Sequence, residues 1–175
     1  MSGVGKTTFI NVLIAKQPSW LGISAGTLLQ ERLTDVARDA LRVCTEGGIL
    51  SNQEIIVRGL STWRMRTECD AVFFDGHLLI DTDSAIVEIP YDVIRRLELD
   101  AMVFVHEEAA EIERRKANDA SRMRAFRSKE WLAAEQQKAM KLAEQYAREL
   151  RIPLFIVRSD EAADVQARIA SLVIQ

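Results

Sequence analysis

The residues best suited to chemistry stand at the start of the chain, in the run Ser2-Gly3-Val4-Gly5-Lys6-Thr7-Thr8. Glycines let backbone N–H groups close around a phosphate, a lysine reaches the terminal phosphates, and a threonine hydroxyl can hold Mg²⁺ where a helix begins. The run therefore predicts the second half of a phosphate-binding loop. A chance loop-to-helix boundary is the alternative, but the apolar residues of segment 9–14 fit the buried helix that such a loop needs. The predicted nucleotide-binding residues are Gly3, Val4, Gly5, Lys6, Thr7 and Thr8.

The complete loop pattern has a further glycine, separated from Gly5 by four residues, and a hydrophobic strand ahead of it. That glycine would stand immediately before Met1, and the sequence contains neither feature. We therefore expect a longer protein with about ten more residues ahead of this chain, or a Met1 that is internal to the reading frame. Because the strand that carries the loop belongs in the middle of the sheet, its absence should leave a gap there.

A candidate metal-binding acid, Asp75, ends the clearest strand in the sequence, Ala71-Val72-Phe73-Phe74-Asp75. A continuous apolar run is typical of a strand that is covered on both faces in a parallel sheet. The carboxyl ends of such strands are where α/β sheets bind ligands, and P-loop proteins place a Mg²⁺-coordinating acid there. An ordinary Asp-Gly turn is the alternative, and the neighbouring loop favours the metal role. For His77, contact with substrate and capping of the turn are equally good interpretations.

The most basic stretch of the chain, residues 114–127, holds six basic residues against one acid. Such runs are often solvated faces. Arginines that close over a phosphate-binding loop can instead stabilise charge on a transferring phosphoryl group. Five of the six basic residues are arginine and small residues interrupt the run, which favours the second interpretation. We therefore predict a lid over residues 114–128.

Composition limits the classes of protein that fit. A chain of 175 residues with 48% hydrophobic and 28% charged residues is typical of a single soluble globular domain, here spanning residues 1–175. The net charge of −3 gives no overall basic field, so nucleic acid is not expected as the main partner. Cys44 and Cys69 lack metal-ligand spacing and suggest a reducing compartment. No apolar run approaches the roughly 18 residues of a membrane span, so we expect a cytoplasmic protein without a membrane partner.

The elements that must position these side chains alternate between helices and strands. Ser51, with Glu54 three residues on, and Ser128 are expected helix N-caps, and Pro90 is expected in the first helical position. The alternation predicts the α/β class, with a parallel β-sheet flanked by helices on both faces and right-handed crossovers. Further strands are predicted at 20–24, 101–105 and 153–157, a hairpin-like excursion at 78–89, and helices at 28–43, 51–68, 91–97, 107–116, 129–150 and 162–173.

In their order and spacing, the motifs resemble those of archaeal-type adenylate kinases and related small P-loop nucleoside monophosphate kinases. The resemblance covers nearly the whole chain. Its motifs are Gly3-Val4-Gly5-Lys6-Thr7-Thr8; Gly26-Thr27 followed by Glu31; Asp75-Gly76-His77; the series Pro90, Val93, Leu97 and Asp100; and Arg114-Arg115, Asn118-Asp119, Arg122 and Arg124.

The resemblance implies a P-loop NTPase fold in which ATP and Mg²⁺ bind at the loop. It also implies that residues 26–68 form acceptor-side helices and that a mobile lid closes over the site. It implies transfer of the ATP γ-phosphate to a nucleoside monophosphate and a tendency to form homo-oligomers. The expected partner is a nucleotide or another small phosphorylated acceptor. The implied catalytic residues are Lys6, Asp75, Arg122 and Arg124; Thr7 and Asp75 would hold the metal; and Thr27 and Arg64 would lie beside the acceptor. We predict Arg58 and His77 as further residues that bind the acceptor.

Two alternative functions stay open. Segment 78–89 lacks the Gly/Pro-rich, lysine-bearing character of the family, so the acceptor base is undetermined and a P-loop kinase of another small acceptor fits as well. The other alternative is a slow ATPase that acts as a nucleotide-dependent binding protein. Arginines on the two predicted acceptor-side helices would then contact a macromolecule such as RNA through its phosphates. These arginines are Arg38, Arg58, Arg64 and Arg66.

Overall fold

The computed structural model describes residues 3–32, 46–82, 85–118 and 127–173. Helices and strands alternate along these ranges, as the sequence predicts. The helices are α1 (Lys6–Ile14), α2 (Ala25–Arg32), α3 (Glu46–Arg66), α4 (Tyr91–Arg95), α5 (Ala109–Asn118), α6 (Lys129–Leu150) and α7 (Ala162–Val173). The strands are β1 (Trp20–Ser24), β2 (Ala71–Asp75), β3 (Leu79–Asp81), β4 (Ile86–Glu88), β5 (Met102–His106) and β6 (Leu154–Arg158). Among these residues, no helix has both the length and the apolar character needed to cross a membrane.

The strands form pairs whose directions agree with the predicted α/β class. Strand β1 runs parallel to β2, with Ser24 opposite Asp75 at their carboxyl ends. Strand β5 runs parallel to β6, with His106 opposite Arg158. Strands β3 and β4 form an antiparallel hairpin, which confirms the hairpin-like excursion. Each parallel pair therefore places the residues that follow its carboxyl ends at one edge of its own sheet, the edge at which α/β proteins bind ligands.

One parallel sheet was the expectation, but the described strands form separate two-stranded sheets. Strands β2 and β5 each pair on one side only, and residues of both line a single cavity of about 2120 Å³. Although their sequences are almost entirely apolar, every residue of β2 and all but Val105 in β5 are only half-buried. Apolar runs of this kind are typical of strands covered on both faces and paired on both edges. The described part of the chain supplies no strand that satisfies both inner edges.

Two hydrophobic clusters hold the elements together, and α6 belongs to both. One cluster joins α2, α3, α4 and the hairpin, with Leu28 and Leu60 among its most buried side chains. The other joins the phosphate-binding loop, α1, β5, β6 and α7, with Leu13 and Ile112 fully buried. Helix α6 gives Leu132 to the second cluster and its later residues to the first. A single 22-residue helix thus packs against both halves of the structure.

Two of the predicted helix ends are wrong. Helix α3 begins at Glu46, so Ser51 lies inside it and is no N-cap. Gly47 and Gly48 lie in its first turn, where burial of Ile49, 2% exposed, outweighs the unfavourable helix propensity of about 1 kcal/mol for each glycine. Pro90 is the N-cap of α4, with φ −60° and ψ 146°, and does not occupy the first helical position.

Other predicted boundaries agree more closely. The Ser128 cap is confirmed, because its Oγ accepts a hydrogen bond from the Trp131 backbone N–H at 3.2 Å. The helix predicted at 28–43 begins earlier, at Ala25, and its later part lies outside the described residues. The helix predicted at 107–116 begins two residues later, at Ala109.

Truncating the core side chain of α1 should destabilise the protein strongly. Leu13 has 0% exposure, so we expect Leu13→Ala to lower the free energy of unfolding by about 2–5 kcal/mol through lost burial and a residual cavity. The neighbouring Val12 is 39% exposed, so Val12→Ala should cost about 0.5 kcal/mol or less. Urea denaturation of both variants measures the difference, and equal losses would contradict this packing of α1.

Candidate functional site

The phosphate-binding loop has the backbone geometry that its glycines allow. Gly3 and Gly5 have φ angles of 92° and 89°, a left-handed region that side chains with a Cβ rarely adopt. Between them Val4 is 2% exposed and packs into the second hydrophobic cluster, so the loop is anchored to the core. Gly5 is the N-cap of α1, and Thr7 and Thr8 are exposed in the first turn. The loop therefore presents a helix N-terminus and two hydroxyls to the cavity, an arrangement that suits an anion.

Lys6 lies beside the acid that the sequence assigns to the site. Its Nζ is 3.7 Å from Asp75 Oδ1 and 3.5 Å from His77 Nδ1. Burial lowers the pKa of the Lys6 ammonium from its ordinary value, and the charge of Asp75 opposes that shift. A buried cation gains from any further negative charge that enters the cavity, such as a phosphate.

The donor set at Asp75 fits a divalent cation. Asp75 Oδ1 is buried and has no hydrogen-bond partner among the described residues, because the 3.7 Å to Lys6 Nζ exceeds hydrogen-bond length. An unsatisfied buried oxygen of this kind is costly unless a ligand completes it. Carboxylate and hydroxyl oxygens suit Mg²⁺. Asp75 and Thr7 are therefore the residues that could hold this metal.

A second group of polar side chains lines the same cavity at the start of α2. Ser24 Oγ accepts a hydrogen bond from the Thr27 backbone N–H at 3.0 Å, and the two hydroxyls lie 2.8 Å apart. Ser24 thus orients the first turn of α2, and Thr27 is exposed in the cavity. Arg64 of α3 also lines this cavity, while its Nη1 donates to the Leu97 carbonyl at 2.9 Å.

Arg58, which we predicted among the residues that bind the acceptor, lies elsewhere. Its side chain is 77% exposed and pairs with Glu54 at 2.7 Å. It lines a separate cavity of about 800 Å³ between α3 and α4, together with Arg64 and Arg96. The structure therefore brings Thr27, Arg64 and His77 to the large cavity and leaves Arg58 outside it. The cause is the rotation of α3 about its own axis, which places Arg58 on the face opposite the residues that line the large cavity.

The predicted lid is described at its two ends. Arg122 and Arg124 lie outside the described residues, as do Arg38 and Asp119. At the first end, α5 packs over the phosphate-binding loop, and a Cβ on Gly3 would lie 3.3 Å from Ile112 Cγ2. At the other end, Arg127 Nη2 donates to Asp81 Oδ1 at 2.9 Å and its guanidinium lies over the Trp131 ring. The base of the segment is thus bound to the hairpin.

Sequence reasoning missed Glu107 and Ser159 as members of the site and gave Arg115 no role of its own. Glu107 follows β5 directly and Ser159 follows β6, so both stand at carboxyl ends of parallel strands. A polar residue directly after a predicted strand was the sequence signal that could have identified both residues. Arg115 reaches the loop from α5, where its Nη1 would be 3.1 Å from a Cβ on Gly5.

The fold and this site define a P-loop nucleotide-binding domain. The family model described as "AAA domain" matches residues 1–133, well over half of the chain. The chain therefore belongs to this family, a P-loop kinase-like family of nucleotide-binding domains. The family includes kinases, and the match does not single out adenylate kinases among them. No curated protein matches the chain significantly.

The lowered pKa of Lys6 predicts a stability difference at high pH. Between the folded pKa and the ordinary value of 10.5, the unfolded chain binds more protons at Lys6 than the folded chain does, so this lysine makes folding more favourable as the pH rises. We expect the unfolding free energy of the wild type, minus that of Lys6→Met, to increase as the pH approaches 10.5. Urea denaturation between neutral pH and that value measures it.

Comparing the wild type with Lys6→Met also removes the pH dependence that other groups contribute to the unfolding free energy of both proteins. Burial raises the pKa of Tyr146 from 10.0 to about 12, so Tyr146 contributes a pH dependence of the opposite sign, which begins near the alkaline end of this range. That contribution is common to both proteins and cancels. A difference that stays constant with pH would contradict a desolvated Lys6.

Proposed function

We propose that the protein is an ATP-dependent phosphotransferase that moves the γ-phosphate of ATP to a nucleoside monophosphate, as adenylate kinases do. One observation carries the proposal: a single cavity is lined by Lys6 and Asp75 and also by Thr27 and Arg64. Two separate sets of phosphate-binding groups on one cavity suit a donor and an acceptor better than one nucleotide. The volume of about 2120 Å³ exceeds the roughly 300–1,000 Å³ of single-ligand sites, although it includes the space between β2 and β5.

The proposed transfer is in line and depends on positioning and on stabilisation of charge, with no covalent intermediate. Lys6, whose Nζ is 3.7 Å from Asp75 Oδ1, would contact the phosphates of ATP instead. The phosphates carry more negative charge than one carboxylate, so they attract the desolvated ammonium more strongly. Thr7 and Asp75 would hold Mg²⁺, which neutralises phosphate charge when bound. Arg122 and Arg124 would act on the transferring phosphoryl group, and closure of the lid would exclude water that could hydrolyse ATP.

Two other functions rank below this one. A kinase of a different small phosphorylated acceptor would use the same groups. A nucleotide-dependent binding protein with slow ATPase activity is favoured by one feature of α3, where Met65 is 79% exposed beside Arg66. It ranks lower because Glu54 already pairs with both Arg58 and Arg96, which offsets one of these two positive charges and engages both guanidinium groups.

The space between β2 and β5 supports a further part of the proposal. We propose that an apolar strand placed directly ahead of the phosphate-binding loop lies there, parallel to both neighbours. Within the described ranges, no strand pairs with the inner edge of β2 or of β5, and the backbone groups of strands this apolar are normally hydrogen-bonded. Gly3 opens on the same cavity, so a strand that leads into the loop would reach this space.

Hydrogen exchange can test this strand. We would compare the chain extended at its amino terminus by an apolar strand ending in glycine with the chain extended by a polar segment of equal length. The apolar extension should slow exchange of the backbone amides of β2 and β5, because it pairs their free edges. Amides of the β3–β4 hairpin serve as the control and should not change. Equal exchange in the two proteins would refute the proposed strand.

The proposed activity predicts ATP turnover that depends on an acceptor. With Mg²⁺ present, we expect one nucleoside monophosphate from a panel to stimulate ADP formation over a control without acceptor. Lys6→Ala should reduce the stimulated rate by at least about a hundredfold, because it removes charge stabilisation at the phosphates. A coupled assay of ADP formation measures both effects.

Lys16, an exposed lysine beyond the end of α1, offers the matched control, and Lys16→Ala should leave the rate unchanged. Slow turnover that is indifferent to every acceptor but still abolished by Lys6→Ala would refute the nucleoside monophosphate kinase and favour the binding ATPase.

A further inference from the structure

Glu107 is a buried carboxylate at the carboxyl end of β5, with 4% of its surface exposed. Arg115 Nη2 donates to its Oε2 at 2.9 Å, and the Ser159 hydroxyl donates to the same oxygen at 3.4 Å. Its Oε1 accepts from the Glu108 backbone N–H at 3.0 Å and lies 3.7 Å from Arg158 Nη2. A carboxylate this far from water is tolerated because it is paired and hydrogen-bonded.

The backbone of Glu107 is fixed independently of its side chain. Gln136 of α6 accepts a hydrogen bond from the Glu107 N–H at 3.0 Å and donates one to the Glu107 carbonyl at 2.8 Å. Both peptide groups are thereby attached to the helix that packs against both hydrophobic clusters. Glu107 is therefore a rigid point from which its carboxylate can position other groups.

The groups that Glu107 binds are those that touch the phosphate-binding loop. A Cβ built on Gly5 would lie 2.6 Å from Ser159 Cβ and 3.1 Å from Arg115 Nη1. Both residues therefore pack closely against the loop at this glycine. Arg115 uses its Nη2 for Glu107 and its Nε for Glu111, at 2.7 Å, and this leaves Nη1 facing the loop. The planar fork of an arginine makes such a three-way arrangement specific.

We propose that Glu107 is a positioning residue for nucleotide binding. Through Arg115 and Ser159 it holds the loop at Gly5 in the curvature that receives a phosphate, and Glu107 itself touches no substrate. The inference rests on nucleotide binding at the loop, which is part of the proposed function. It adds a residue outside the loop motif whose charge sets how well that motif binds.

The direction in which ATP affinity changes when Glu107 is neutralised separates a positioning role from simple electrostatic repulsion. Glu107 is a negative charge close to a site for anions, so its neutralisation alone should strengthen ATP binding. If Glu107 acts by positioning Arg115 and Ser159, its neutralisation should weaken ATP binding instead. Glu107→Gln keeps the size of the side chain and removes the charge, so it tests the two roles against each other.

The experiment measures the dissociation constant of MgATP by titration calorimetry, and the KM and kcat of turnover, for the wild type, Glu107→Gln and Glu108→Gln. We expect Glu107→Gln to weaken MgATP binding and raise KM about tenfold, the loss that follows when one charge-assisted hydrogen bond no longer holds a group in place. Glu108 is the exposed neighbour, and Glu108→Gln should bind as the wild type does. Unchanged or tighter binding by folded Glu107→Gln would overturn the inference.

Arg115→Gln completes a double-mutant cycle on MgATP affinity. If Glu107 acts through Arg115, the double variant should lose no more affinity than the weaker-binding single variant, whereas a merely structural role predicts additive losses.

Should Glu107→Gln fail to fold, Arg115→Lys gives a second route, because lysine lacks the fork that contacts two carboxylates and the loop together. Wild-type binding by Arg115→Lys would then overturn the inference. A wild type that binds no MgATP would overturn both the inference and the proposed function, whereas binding without acceptor-dependent turnover would overturn only the function.

Discussion

A desolvated lysine beside a half-buried carboxylate is the interaction around which this site is arranged. Lys6 retains 19% of its side-chain exposure and Asp75 retains 21%, and their charged atoms stand 3.7 Å apart without a hydrogen bond. Neither group is fully satisfied by the other. Removing charges from water is expensive and is repaid only by good geometry and further partners. The pair is therefore better suited to receiving a polyphosphate and a cation than to stabilising the fold.

The surrounding elements bring these two groups together from distant parts of the sequence. Asp75 is placed by the pairing of β2 with β1, whose last residues, Ser24 and Asp75, stand in register. Lys6 is placed by Gly5, whose left-handed backbone turns the loop into α1. Burial of Val4 and Leu13 holds the loop and α1 against β5 and β6. The site thus depends on both parallel pairs.

The inner strands of the two parallel pairs and two members of the Glu107 network, Arg115 and Ser159, line the same cavity as the phosphate-binding loop. Among the described residues, no strand pairs with the inner edge of β2 or of β5. Arg115 and Ser159 lie against Gly5, and both donate hydrogen bonds to the buried carboxylate of Glu107. A loop that borders both the ionic contacts and these strand edges should respond to changes in either. Such coupling through a shared, rigid segment needs no large motion of the protein.

The sequence by itself determined the features whose causes are local. Glycine at positions that require positive φ, an apolar run ending in an acid, and the hydroxyl of Ser128 before a helix each depend on a few neighbouring residues, and the structure contains all of them. The same local reasoning failed at Ser51, where burial of Ile49 extended α3 past two glycines.

Only the tertiary structure decided the rest. It separated the two parallel pairs, turned Arg58 away from the large cavity, and joined Glu107, Arg115 and Ser159 around Gly5. These outcomes depend on which strand edges meet, on the rotation of a helix about its axis and on contacts between residues far apart in the chain. The energies of such contacts arise only when the core packs, so no short stretch of sequence carries them.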